Sequence, residues 1–227
     1  MNSVLQPFLH QFVAVFFDDI LIFNDSLAIH IEHLDTVLNT LLQSKLYLKR
    51  SKCYFAERHL EYLGHVISSD GIAPEQSKIA AMVTWPTPTS AKDIQAFLGL
   101  TGFYRHFIKG YASLAASLTA LLCRDQFKWS SESQLAFGAL KSAMTQAPVL
   151  IPPDFSQPFE IETNASGTTM GAMLMQHRRL IASFSKQFTP KLQRASTYVC
   201  ELHSVTMAVR KWRPYLLGHK FMIFTYH

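Results

Sequence analysis

Residues 15–23 read Val-Phe-Phe-Asp-Asp-Ile-Leu-Ile-Phe, and this stretch decides the fold prediction for the first part of the chain. The runs Phe12–Phe17 and Ile20–Phe23 are rich in aromatic and β-branched residues, which favour β-strands. Only Asp18 and Asp19 separate the two runs. The pattern therefore predicts a β-hairpin with two adjacent carboxylates at its turn.

Two explanations of Asp18 and Asp19 stay open on the residues alone. The first is an ordinary hairpin turn, in which Asp is common and solvated. The second is a site for a divalent cation such as magnesium, which prefers oxygen ligands. A cation or full exposure is needed because adjacent buried carboxylates repel each other and are costly to remove from water.

Further along the chain the apolar residues take a helical period. The leucines and valines of Ser26–Ser44 form one stripe, and Ser90 with Asp93 three residues later predicts the capped start of another helix. The stretch Ala147–Pro158 holds four prolines and no periodicity, so it predicts a domain boundary. Shorter patterns predict helices at Gly102–Lys109, Ser113–Leu122, Ser130–Thr145 and Ala195–Trp212. Others predict strands at Leu46–Leu48, Tyr62–Ile67, Phe159–Asn164, Gly171–Gln176, Leu180–Ser185 and Lys220–Thr225.

Composition restricts the class of protein and its compartment. Of the 227 residues, 48% are hydrophobic and 16% charged, which is typical of a globular protein. Cys53, Cys123 and Cys200 are widely spaced, which favours a reducing compartment and argues against a disulfide framework or a zinc knuckle. No signal peptide or membrane span is visible in the sequence. We therefore expect an intracellular protein, cytoplasmic or nuclear, that is not secreted and does not contact a membrane.

The charge is unevenly distributed along the chain. Residues 1–72 hold five Lys/Arg and eight Asp/Glu, whereas residues 151–227 hold nine and four. A basic second part is typical of a polyanion partner, although a solvated basic surface explains it equally well.

The hairpin sequence resembles the aromatic-x-Asp-Asp hairpin of reverse transcriptases, and it is most similar to that of gypsy-class long-terminal-repeat retrotransposons. Later stretches resemble other parts of this family in the family's own order. They are Tyr62-Leu63-Gly64-His65 for the primer-grip hairpin, Trp85–Pro88 and Phe97–Ile108 for the thumb, Ala147–Leu150 and Pro153–Phe155 for the tether, and Phe159–His227 for the first two-thirds of an RNase H domain.

This resemblance implies a mixed α+β and α/β fold in four parts. They are a partial reverse-transcriptase palm at residues 1–72, a helical thumb and connection at 73–146, a linker at 147–158, and an incomplete RNase H-like α/β domain at 159–227. The resemblance also implies a chain that is truncated at both ends.

For DNA synthesis, the resemblance gives Asp18 and Asp19 two of the three aspartate positions that hold two Mg²⁺ (or Mn²⁺) ions in the family. One such ion activates the primer hydroxyl and the other neutralises the leaving phosphates. The third aspartate and the fingers would precede Met1. We therefore expect that this chain alone does not polymerise DNA.

The RNase H part keeps few of the family's metal ligands. Glu201 matches the family's glutamate, but Asn164 and Tyr226 stand where the family has aspartates, and a fourth ligand would follow His227. Asn164 is neutral and Tyr226 supplies no carboxylate. Glu162 is displaced from Asn164 by about 6–7 Å along the predicted strand, too far to replace it. The resemblance thus implies an RNase H-like part that is inactive in this chain.

Nucleic acid is the predicted partner, as an RNA–DNA hybrid or a duplex. Arg105 and Lys109 in the thumb-like part, and Arg210 and Lys211 near the end of the last predicted helix, are candidates for phosphate contacts. The alternative explanation is that the interleaved aromatic residues are core and the cations only solvated. Two other functions stay open, a domesticated nucleic-acid-binding module and a translated relic without an enzymatic role.

Overall fold

The computed structural model describes residues 1–9, 11–24, 26–123 and 127–225. The chain divides into two compact units, the N-terminal unit (Met1–Tyr62) and the C-terminal unit (Leu63–His227). Both contain helices and strands, so the predicted mixed α and β fold class is confirmed. In the part of the chain that the structure describes, no helix combines the length and apolar character needed to cross a bilayer.

The N-terminal unit is a hairpin packed on one long helix. Its elements are β1 (Val13–Phe16), β2 (Asp19–Ile22), α1 (Leu27–Gln43) and β3 (His59–Tyr62), with 3-10 turns at Gln6–Phe8 and Arg50–Lys52. β1 and β2 pair antiparallel, with Val13 opposite Ile22. Ser26 caps α1 by accepting a hydrogen bond from the Ile29 N–H, as the predicted helix start requires. The predicted strand at Leu46–Leu48 is wrong, because these residues form irregular chain and Tyr47 is 81% exposed.

The first part of the C-terminal unit is mostly helical. Its elements are β4 (His65–Ser68), β5 (Gly71–Pro74), α2 (Gln76–Val83), α3 (Ala91–Phe103), a 3-10 turn at Arg105–Phe107, α4 (Tyr111–Leu114), α5 (Ala116–Leu122) and α6 (Ser131–Thr145). The predicted cap is confirmed, since Ser90 and Asp93 form a reciprocal capping box at the start of α3. The single strand predicted from Tyr62 to Ile67 is interrupted at Leu63 and Gly64, whose φ angles are 51° and 77°.

The second part of the C-terminal unit is a four-stranded sheet with helices. Its elements are β6 (Phe159–Ala165), β7 (Thr169–Gln176), β8 (Arg179–Gln187), α7 (Pro190–Gln193), α8 (Thr197–Lys211), α9 (Arg213–Leu216) and β9 (Phe221–Thr225). The strand order is β8-β7-β6-β9, and β9 is parallel to β6. Phe159 and Ile161 are fully buried in a core that Ala208 of α8 joins. Alternation along β6 therefore directs Glu162 and Asn164 to the other face of the sheet.

The proline-rich stretch 147–158 is fastened to both parts of the C-terminal unit. The Ile72 N–H donates to the Leu150 carbonyl at 2.7 Å, and the Leu150 N–H donates back at 2.8 Å. The Ile151 N–H donates to the Leu180 carbonyl at 2.9 Å. The four-part division of the chain into palm, thumb, linker and RNase H-like domain stays a prediction, but this stretch is not a free tether.

Candidate metal and nucleic-acid sites

The two aspartates of the hairpin differ in position, since one lies in the turn and the other in a strand. Phe16 pairs with Asp19, so Phe17 and Asp18 form the two-residue turn and Asp19 begins β2. The sequence-based prediction of a turn at Asp18 and Asp19 is therefore wrong by one residue. Phe17 has a φ of 55°, in the left-handed region that strains an aromatic residue, and it is 80% exposed. Both carboxylates are exposed to solvent.

Tyr62, which the sequence assigns to the primer grip, lies beside Asp19. Its hydroxyl donates a long hydrogen bond of 3.5 Å to the backbone carbonyl of Asp19. The pKa of Tyr62 is raised, first by burial and second by the negative charge of Asp19. The structure therefore brings two sequence-predicted site residues together within the N-terminal unit.

The donor chemistry of the hairpin suits a hard divalent cation, since two exposed carboxylates offer oxygen ligands. Across the described ranges, however, no group of three or more His, Cys, Asp or Glu side chains is arranged to hold a metal ion. Asp18 and Asp19 thus fit a metal only as two of its ligands. Their catalytic role stays a prediction.

Asn164 lines a small pocket on the sheet face opposite α8. The pocket has a volume of about 170 Å³, and Glu162 and Lys109 also line it. The Lys109 Nζ lies 3.7 Å from a Glu162 carboxylate oxygen. Lys109, predicted to contact nucleic acid, therefore already has a carboxylate partner. The assignment of Asn164 to a family metal position stays a prediction.

The remaining predicted RNase H-like residues are less informative. Glu201 lies on α8 and is partly buried. Tyr226 lies outside the described residues. The assignment of both to family metal positions stays a prediction.

The strongest electrostatic feature of the C-terminal unit surrounds His106. The pKa of His106 is lowered to about 4, chiefly by burial and then by His65, with Arg105 and Lys211 adding positive charge. A hydrogen bond with the Phe103 backbone acts in the opposite direction. Arg105 lies in the 3-10 turn and Lys211 at the end of α8, and both are exposed. Arg105, in the same 3-10 turn as His106, and Lys211, at the end of α8, thus both act on the pKa of one imidazole.

Aromatic rings complete this cluster. The ring of His65 lies 5.2 Å from that of Phe103 and 5.6 Å from that of His106, between centroids. We call the five residues His65, Phe103, Arg105, His106 and Lys211 the His106 patch. Arg210, the neighbour of Lys211, is also exposed. Sequence reasoning missed His65 and Phe103 as site residues, although both lie within stretches that resemble the family.

Two family models match the chain in the order of its parts. The model described as "Reverse transcriptase (RNA-dependent DNA polymerase)" matches residues 1–67. The model described as "RNase H-like domain found in reverse transcriptase" matches residues 129–223. The chain thus contains a reverse-transcriptase segment and, after residues 68–128, an RNase H-like segment.

Curated relatives make the family more specific. The chain is 36% identical over 229 residues to the retrovirus-related Pol polyprotein from transposon 297 of Drosophila melanogaster, and this match covers 100% of the chain and 22% of that relative. It is 30% identical over 241 residues to the Pol polyprotein from transposon gypsy of the same species, covering 100% of the chain and 23% of that relative. The chain belongs to the gypsy-class family of retrotransposon Pol polyproteins, and it spans less than a quarter of these relatives.

A solved structure shows the same fold. The foamy viral protease-reverse transcriptase in complex with RNA/DNA hybrid superposes with a TM-score of 0.89 at 22% identity, over 99% of this chain and 31% of that chain. At this identity the likeness establishes the fold alone.

Proposed function

We propose that this chain binds an RNA–DNA hybrid or duplex as part of reverse transcription, within a longer Pol polyprotein. The observation that carries the proposal is that Arg105 and Lys211 are both exposed in the C-terminal unit and that the positive charges of both lower the pKa of His106. Exposed cations that meet on one surface can contact neighbouring phosphates, which supply most sequence-independent affinity. The membership of the chain in a reverse-transcriptase family favours nucleic acid over other polyanions.

In the parent polyprotein, Asp18 and Asp19 would be ligands of Mg²⁺ or Mn²⁺, since the families whose models match the chain generally depend on divalent metal ions. When bound, such an ion neutralises charge on the reacting phosphates. The chain's own contribution is to hold two carboxylates at a hairpin turn, with Tyr62 bonded to the Asp19 backbone. Because two carboxylates are too few and Asn164 is neutral, we propose that this chain performs neither DNA synthesis nor hybrid cleavage unaided.

The test is binding of a labelled RNA–DNA hybrid by fluorescence anisotropy, with cleavage scored in the same samples after addition of Mg²⁺ or Mn²⁺. The double variant Arg105→Glu with Lys211→Glu should weaken binding at least tenfold. The control is Lys78→Glu with Lys191→Glu, which changes the net charge by the same amount at two exposed lysines outside the His106 patch. It should leave the affinity nearly unchanged. Equal affinity of both double variants would overturn the proposed binding surface, and cleavage by the wild-type chain would overturn the proposed inactivity.

We also propose a cellular location for the chain. We place it in a reducing intracellular compartment, cytoplasmic or nuclear, because its three cysteines are odd in number, widely spaced and without a CxxC pair. Fractionation of cells that express the tagged chain tests this, and recovery from the secreted fraction would contradict it.

A further inference from the structure

We propose that the imidazoles of His30 and His33, together with the side-chain amide of Asn24, bind a transition-metal ion of the Zn²⁺ type. Asn24 lies just after β2, and both histidines lie in the first half of α1. All three residues belong to the N-terminal unit. The proposal goes beyond the proposed function, since it concerns neither nucleic acid nor the two carboxylates of the hairpin.

The first argument is that two imidazoles face the same amide. The Nδ1 atom of His30 lies 3.2 Å from the Nδ2 atom of Asn24. The Nδ1 atom of His33 is hydrogen-bonded to the Oδ1 atom of that amide. Two ligand atoms on one tetrahedral Zn²⁺ ion lie roughly 3.3 Å apart, because each is bound at about 2.0–2.1 Å. The spacing of His30 and Asn24 is therefore already that of two ligands of one ion.

The second argument concerns the lone pairs that a metal ion needs. An amide nitrogen can only donate, so the Nδ1 atom of His30 accepts the hydrogen bond and carries a lone pair. His33 donates its Nδ1 proton to the amide oxygen, and it would bind the ion in the other neutral tautomer, with the proton on Nε2. Rotation of the Asn24 amide can turn its oxygen toward an ion between the rings. Two imidazole nitrogens and one amide oxygen are thus available as ligands.

The third argument is that the histidines are held in position. They are three residues apart on α1, so they lie on the same face of the helix. The His30 N–H donates to the Ser26 carbonyl at 2.9 Å, which fixes the first turn. The ring of His33 stacks on that of Phe12, at 3.6 Å between centroids and 15° between planes. Less conformational entropy is therefore lost when an ion binds.

The fourth argument is access and ligand chemistry. A pocket of about 460 Å³ is lined by Asn24 and His33, with Phe12, Phe23 and Ile29 as its apolar walls. It gives an ion a path to both polar side chains and has room for the water that would complete a tetrahedral set. Imidazole nitrogens suit Zn²⁺, Cu²⁺ or Ni²⁺, whereas Mg²⁺ takes oxygen ligands. The site therefore differs in chemistry from the carboxylates of the hairpin.

A bound ion would link the end of the hairpin to the helix that supports it. The positive end of the α1 dipole opposes a cation, but this effect falls off within the first turn, and His33 is the seventh residue of the helix. Because the three ligands come together only in the folded chain, the ion should stabilise the fold.

The test is calorimetric titration of the metal-free full chain with Zn²⁺, in excess Mg²⁺ so that the hairpin carboxylates do not compete. His30→Gln with His33→Gln should weaken Zn²⁺ binding at least about tenfold, since even the loss of an outer partner of a metal ligand costs this much. The control, His59→Gln with His177→Asn, removes two exposed histidines elsewhere and should leave the affinity within about twofold. Zn²⁺ should raise the urea midpoint of the wild type but not that of His30→Gln with His33→Gln.

Asn24→Asp tests the same site by a gain of affinity. It keeps the shape of the side chain and replaces a neutral oxygen ligand with a charged one, so Zn²⁺ should bind several-fold more tightly. This variant decides the matter if His30→Gln with His33→Gln does not fold. Absence of Zn²⁺ binding by the wild type, equal affinity of the two histidine double variants, or no tightening in Asn24→Asp would overturn the proposal.

Discussion

The hydroxyl of Tyr104 donates a 2.7 Å hydrogen bond to the backbone carbonyl of Gly64. Tyr104 is 1% exposed, and burial raises its pKa, with a further contribution from the charge of Glu75. The bond fastens the turn before β4 to the segment that carries Phe103, Arg105 and His106. It therefore fixes His65 relative to Phe103, Arg105 and His106.

Tyr104→Phe removes this bond, while the Gly64 carbonyl still accepts a hydrogen bond of 3.2 Å from the Glu75 backbone N–H. We therefore expect the free energy of unfolding to fall by about 0.5–1.5 kcal/mol, the contribution of a typical hydrogen bond. Urea denaturation measures the change. Tyr198→Phe, at a tyrosine that is 72% exposed, should shift stability by less than about 0.5 kcal/mol. Equal effects of the two variants would contradict the structural role of the bond.

Gly71→Ala tests the attachment of the proline-rich stretch. Gly71 has a φ of 135°, and an added Cβ would lie 2.1 Å from the Leu150 carbonyl oxygen. The backbone must move, so we expect a loss of about 2 kcal/mol or more, or failure to fold. Gly138→Ala, in the exposed middle of α6 with nothing within 4 Å of its Cβ position, should instead stabilise by about 0.5–1 kcal/mol. A stable Gly71→Ala protein would show that Leu150 is not held against β5.

The depressed pKa of His106 predicts a pH dependence of stability. In the unfolded chain this group titrates near 6.5, and in the folded chain at about 4. The unfolded state therefore binds more protons between these values, and the contribution of His106 to stability is present above about pH 6.5 and lost as the pH falls toward 4. His106→Gln should flatten the curve of urea midpoint against pH in this window. An unchanged slope would contradict the burial of a neutral imidazole.

The ion pair between Lys109 and Glu162 predicts that Lys109 contributes less to binding than Arg105. Lys109 is 69% exposed at its side chain, so a double-mutant cycle with Glu162→Gln should give a coupling of only about 0.2–1 kcal/mol. In hybrid binding, Lys109→Ala should reduce the salt slope by clearly less than Arg105→Ala does. If the two reductions are equal, Lys109 contacts phosphate despite its carboxylate partner.

Local signals in the sequence predict much of the fold. Ser26 and Ser90 mark helix starts because a cap depends on residues within one turn, and the strands near Phe159 follow from short β-branched and apolar runs. The sequence predicts the hairpin turn one residue too late, at Asp18 and Asp19 instead of Phe17 and Asp18. The reason is that strand register depends on pairing between strands rather than on composition.

Some features of the candidate sites are likewise visible in the sequence, and others only in the structure. The aspartates of the hairpin and the substitution at Asn164 are visible in sequence because each lies in a short motif. The influence of Lys211 on the pKa of His106 is not visible, since the two residues are far apart in sequence and lie on different elements. The pairing of Lys109 with Glu162 is a tertiary contact of the same kind.

The most direct test of the central claim is the dependence of hybrid affinity on salt concentration. The logarithm of the affinity should fall linearly with the logarithm of salt concentration, with a slope near −0.7 to −0.9 for each phosphate contacted. We predict that Arg105→Gln with Lys211→Gln makes this slope shallower by about 1.4–1.8, whereas Lys78→Gln with Lys191→Gln leaves it unchanged. A wild-type chain that is folded and shows no salt-dependent binding, or equal slopes for the two double variants, would contradict the claim.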